Sequence, residues 1–265
     1  MACPATVLDQ SFHVRSKSMP SRPQPLALRF EEEMQKLRAC VASTSSATLQ
    51  MMSSGLRVLG DIYECINEIL HLPSNQQALC LAHQNKWMEK ELDKSIKLLN
   101  LCTVMRDNLV AMKDHAQELS FVLRRKDAIP ESKMREYTHS GKKAQKEIKN
   151  CFKSLKHEDN RCRSTSTLDK DCEASVVIRM LMEAREITVS LLHAMFSSLS
   201  KPKGVSKETR WSFVSKALHQ RKIACEDDIE YAKEAETLEH LEIGLDCLYR
   251  QLILNRVSLL NIISL

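Results

Sequence analysis

Arg15, Ser18 and Pro20 stand in the order R-S-x-S-x-P, inside an arm, FHVRSKSMPSRPQP, that runs from Phe12 to Pro25 without an acidic residue. That spacing predicts a phosphorylation site. An arginine three residues before a serine suits the acidic substrate pocket of a basophilic kinase. Phosphate on Ser18 would then add almost two negative charges and several acceptor oxygens for a partner's arginine cluster to hold. Pro20 turns the chain out of a binding groove, and phosphoserine in this form is read by 14-3-3 proteins. Ser164, three residues after Arg161 in RCRS, is a second candidate phosphosite of the same basophilic kind.

No other short pattern carries chemistry. Glu136 and His139 have the E-x-x-H spacing of di-iron bundles, but that centre needs the motif twice and two further glutamates. The second copy is missing, so both residues are expected on the surface of a polar helix. There is no H-E-x-x-H and no spaced set of cysteines and histidines suited to zinc. Neither G-x-S-x-G nor a glycine-rich phosphate loop is present, and the chain has only 5 glycines. The expectation is a protein that is not an enzyme and needs no cofactor or metal. The 10 cysteines are scattered, with no C-x-x-C. Most fall on apolar helix faces, where a thiol behaves as a small hydrophobe, and a reducing compartment is expected.

The elements that must position these residues are helical. Four of the 7 prolines (Pro4, Pro20, Pro23, Pro25) lie in the arm, and Pro73, Pro130 and Pro202 fall between long periodic stretches. A residue without an N–H ends a helix there at little cost. A sheet protein of this length would need many more turn residues. Residues 1–25 offer too few apolar groups to offset the entropy of ordering and are expected to be disordered. The rest, 26–265, reads as one all-α domain, an elongated antiparallel bundle of long helices.

Apolar spacing places helices near 26–41 and 48–72, a short one over 76–82 capped by Ser74, and others near 131–156, 171–199 and 226–262. A further short helix around Trp211 and Leu218 completes the set. The longest, from about Gln84 to Lys126, carries Leu92, Ile96, Leu99, Cys102, Met105, Leu109, Met112 and Ala116 at steps of three and four. It would be about 60 Å long. A second row, Leu98, Leu101, Val104 and Val122, widens its stripe beyond a two-stranded coiled-coil seam, so it should face several neighbours. Residues 157–170, HEDNRCRSTSTLDK, read as a mobile loop.

Charge is unevenly spread. Residues 142–163 carry eight Lys/Arg against three Asp/Glu, and residues 226–242 carry eight Asp/Glu against Lys233 alone. Two solvated faces that attract weakly would account for this. No aromatic residue alternates with the lysines, so nucleic acid is not expected as a partner. The C-terminal stretch LYRQLILNRVSLLNIISL is apolar nearly all round, with only Arg250 and Arg256 charged. Two arginines in the span oppose membrane insertion, so a helix at the middle of a bundle is expected there. The alternative role for these two segments is peripheral membrane association. The expected compartment is the cytoplasm, with a plastid or a membrane surface as alternatives, the Ser/Arg-rich start resembling a transit peptide only in composition.

Four stretches, FHVRSKSMPSRP, LGDIYECINEILHLPSNQQAL (59–79), KWMEKELDKSIKLLNLCTVMRDNLVAMKDHAQEL (86–119) and LILNRVSLLNIISL (252–265), resemble the plant BYPASS-type family. The resemblance covers almost the whole chain and lies nearest a large plant-specific branch of that family. It implies a predominantly helical land-plant protein with a domain of no assigned biochemical function, associated in the founding members with root and shoot development. It supplies no catalytic residues. The resulting expectation is a helical scaffold or regulator of plant development, with protein partners that include 14-3-3 through phosphorylated Ser18.

Overall fold

A computed structural model describes residues 25–42, 49–81, 85–125, 131–162, 173–200 and 226–265. Those residues form seven helices and no strand: α1 Pro25–Ala42, α2 Leu49–Leu70, α3 Pro73–Leu81, α4 Asn85–Arg125, α5 Glu131–Cys162, α6 Glu173–Ser200 and α7 Glu226–Ile263. The protein is all-α, as the proline placement and apolar spacing predict. The expected helix around Trp211 lies outside the described residues.

Two helices start on a proline, the position where a missing N–H costs nothing and the fixed φ suits the first turn. At Pro73 this shifts the cap. The Leu72 carbonyl accepts from the Asn75 and Gln76 amides, both at 3.0 Å. Ser74 therefore lies inside α3 and is not its cap. Asn75 also turns back to close the end of α2, its Nδ2 donating to the Ile69 carbonyl at 2.8 Å.

The core forms where α7 lies across α2 and α4, the two most extensively packed pairs, with α6 beneath and α1 and α5 on the flanks. Leu56, Leu59, Ile62 and Ile66 of α2 meet Leu241, Leu245 and Leu248 of α7, all essentially without exposure. The approach is close. A Cβ on Gly244 would lie 3.0 Å from the Leu56 Cβ, and one on Gly60 would lie 3.1 Å from the Cys247 Sγ, so these two positions let the backbones meet.

Side-chain pairs fix the helix directions. Arg256 and Leu92 at one end, and Glu242 and Lys113 at the other, make α4 and α7 antiparallel. Asn100 with Cys151, and Glu118 with Lys133, do the same for α4 and α5. In contrast, Ser53 meets the His240 carbonyl and Ser258 meets Asn67, so α2 and α7 run in the same direction. The arrangement mixes the two senses instead of being antiparallel throughout.

Two other expectations change. α5 continues to Cys162, six residues past its expected end, because residues 157–162 are polar but hold neither glycine nor proline. The remainder of the expected loop lies outside the described residues. The C-terminal half of α7 is not wrapped on all sides. Leu252, Asn255, Ser258, Leu259 and Ile262 are buried, while Ile253, Leu254, Val257 and Leu260 are 38–48% exposed. No helix among the described residues is long and apolar enough to cross a membrane.

Candidate functional site

Arg15, Ser18 and Pro20, and the second phosphosite Ser164, all lie outside the described residues. The described residues hold a different polar constellation, buried where α2, α4, α6 and α7 meet. Arg185 of α6 donates through Nη1 to Oε2 of Glu91 on α4, with both side chains under a tenth exposed. One turn further along α6, Thr188 donates to the Ala184 carbonyl at 2.6 Å and sits 3.2 Å from the Tyr63 hydroxyl of α2. Asn255 of α7 donates to the Tyr63 carbonyl at 3.3 Å. Arg256 reaches across to the Leu92 carbonyl and to Ser95 Oγ, the latter at 2.7 Å.

Four helices thus each contribute donors and acceptors that use one another up. Burial holds the Tyr63 phenol far above its ordinary range, so it stays protonated. The Cys102 thiol is likewise pushed up to about 12 by burial and is an inert core group. Tyr63, Glu91, Arg185, Asn255 and Arg256 line a cavity of about 20 Å³, room for one water and too small for a substrate. Among the described residues Ser200 alone has a buried side-chain oxygen without a partner. This constellation is built to fix how four helices meet, because each buried polar group that finds no partner carries a desolvation cost.

Single-sequence reading missed it because its members lie far apart in the chain. A local signal existed in α6, where Arg185 follows Ala184 and stands four residues after Leu181, on the stripe that faces the core.

A second cluster joins α4 to α5. Glu118 accepts from Lys133 Nζ and from the Tyr137 hydroxyl, and the Tyr137 ring lies against His115 with centroids 3.9 Å apart. The hydrogen bonds from Lys133 and Tyr137 hold the Glu118 carboxyl below its ordinary range. Burial holds His115 below its ordinary 6.5. Both folded-state values are depressed, so each group contributes stability that is complete above its unfolded value and fades as pH falls. The His115 contribution goes first, just below pH 6.5, and that of Glu118 follows in the carboxylate range. Acidification from about pH 7 to about pH 5 should therefore lower the thermal midpoint, and His115→Phe should flatten that decline; calorimetry across the range checks both.

Glu136 and His139 are exposed on α5, where the sequence placed them. No group of three or more His, Cys, Asp or Glu side chains among the described residues could hold a metal ion. The described surface carries two features the interior lacks. One is the exposed aliphatic face of α7. The other is a run of exposed lysines on α5, Lys142, Lys143, Lys146, Lys149, Lys153 and Lys156. α4 stands between these two helices.

A family model described as Protein BPS1 matches residues 55–240 and 230–262. No curated protein and no solved structure matches the chain.

Proposed function

The chain belongs to the BPS1 family over most of its length, and on that premise we propose that it is a non-enzymatic helical scaffold or regulator in plant root and shoot development. The observation that supports this is the closed polar centre. Its charged and hydroxyl side chains are committed to one another across four helices. Their cavity admits no substrate. Such a body serves to hold surfaces in fixed relation, and the action falls to what those surfaces and the arm engage.

The arm supplies the switch in this reading. Kinase action at Ser18, guided by Arg15, creates a phosphoserine that 14-3-3 reads, with Pro20 directing the chain away from the groove. The full-length chain treated with a basophilic kinase should be captured by immobilised 14-3-3, and Ser18→Ala should abolish the capture. Equal capture of both forms would overturn the arm's role. Loss of capture on Ser164→Ala alone would move the site to the second serine.

A second reading, peripheral association with a membrane, is favoured by the exposed aliphatic residues of α7 and the exposed lysines of α5. Truncation before Leu252 cannot test it, since Leu252, Leu259 and Ile262 belong to the core. Point substitutions on the exposed faces are required.

A further inference from the structure

We infer that Lys142, Lys146, Lys149, Lys153 and Lys156 form a docking row for the anionic phospholipid surface of a membrane; the inference rests on the second reading above. The five recur at steps of four, three, four and three along α5, and all are exposed. That spacing puts them in one line on one face, about 21 Å from first to last. The opposite side of the helix, with Tyr137, Ile148, Phe152 and Leu155, is buried against the body. The row therefore points outward from a helix at the flank of the bundle. None of the five is joined to a described residue by an ion pair.

This arrangement is unfavourable for the helix itself. Neighbours three and four apart on a helix surface stabilise it when their charges are opposite and destabilise it when they are alike. The row contains four successive like-charged neighbour pairs. Glu147, the one acid from Lys142 to Lys156, lies well round the helix from the line. A partner that brings many negative charges in one plane relieves this repulsion.

The chemistry of the row selects among polyanions. Its charges are lysine ammoniums, point charges without the planar fork that reads phosphate and base edges in two contacts. It has no exposed aromatic on which a base could stack, since Phe152 is buried. An acidic protein partner would need apolar anchors at the centre of the contact. The residues beside the row, Asn150 and Ser154, are polar and exposed. A bilayer rich in anionic headgroups needs neither stacking nor anchors. It attracts each nearby lysine independently and presents a plane that a straight row meets at every position.

The test uses the full-length chain and sedimentation with two vesicle types, phosphatidylcholine alone and an equimolar mixture with phosphatidylserine. The wild type should partition onto the mixed vesicles only, and raising the salt to about 0.5 M should release it. Each lysine near the surface is worth about fivefold in partitioning. Lys146→Gln, Lys149→Gln and Lys153→Gln together should thus weaken it about a hundredfold, with an unchanged circular dichroism spectrum and the arm intact. A wild type that ignores both vesicles defeats the membrane reading and the row together. A wild type that binds while the triple variant binds equally well defeats the row alone and moves the contact to the arm or to α7. Duplex DNA or polyglutamate that strips the protein from vesicles at matched charge concentration would overturn the choice of lipid.

Discussion

Arg185→Met should lower the unfolding free energy by about 3–5 kcal/mol, the largest effect expected of a single charged residue here. The loss comes less from the ion pair than from what remains. Glu91 is only 6% exposed, and without the guanidinium its carboxylate would stay in the core without its ion-pair partner. Glu91→Gln should cost a similar amount from the other side, by removing the carboxylate that balances the buried Arg185 guanidinium. The double replacement Glu91→Met with Arg185→Met removes both charges and fills similar volume. It should come out near the parent or up to about 4 kcal/mol more stable. Urea unfolding would show the single variants as a lower midpoint at unchanged slope. A cost under about 1 kcal/mol for either single change would mean that the pair is not shut away from water as described.

Leu56→Ala should cost about 2–5 kcal/mol. Leu56 has no exposed surface, and a Cβ on Gly244 would lie 3.0 Å from its Cβ and 3.3 Å from its Cδ1, so α2 and α7 pack closely there. Deleting the isopropyl end leaves a void that the neighbouring helices cannot fill. Leu59 and Leu245 are already packed, and the backbones are already as near as two glycines allow. For a chain of this size the thermal midpoint should fall by roughly 2–4 °C per kcal/mol. Leu254→Ala, half-exposed on the outer face of the same α7, should shift it hardly at all. Similar losses at the two leucines would contradict the assignment of inner and outer faces.

Periodicity carried the helical frame a long way. α4, expected from about Gln84 to Lys126, spans Asn85–Arg125, and α7, expected over 226–262, spans Glu226–Ile263. Uninterrupted apolar steps of three and four locate a helix whatever it packs against, which is why these two were legible. What the pattern does not encode is the partner on each side. Ile96 continues the α4 stripe in sequence yet is 50% exposed, because no helix among the described residues lies over it. Leu254 and Val257 are as apolar as Leu252 and Leu259 but face outward, since no described helix packs against that side of α7. The closed polar centre was less legible still. Glu91 and Arg185 become neighbours only once α4 and α6 pack, and a lone charge inside a helical stripe gives no address for its counter-charge. Ser18 presents the reverse case. A short basophilic motif in an arm reads from the letters directly, and its meaning depends on a kinase and a reader, not on the fold of the body.

The parallel pairing of α2 with α7 sets an order on synthesis. α2 is complete at residue 70, but the helix that closes over it is not finished until residue 263. At about 5–20 residues per second the ribosome needs roughly 10–40 s to make the intervening chain. Through that interval the inner faces of α2 and then α4 have no α7 to cover them. A nascent chain in that state is a natural client for chaperones. A product ended early, even by the last few turns, would be seen by the cell as unfolded instead of as a shortened but working protein.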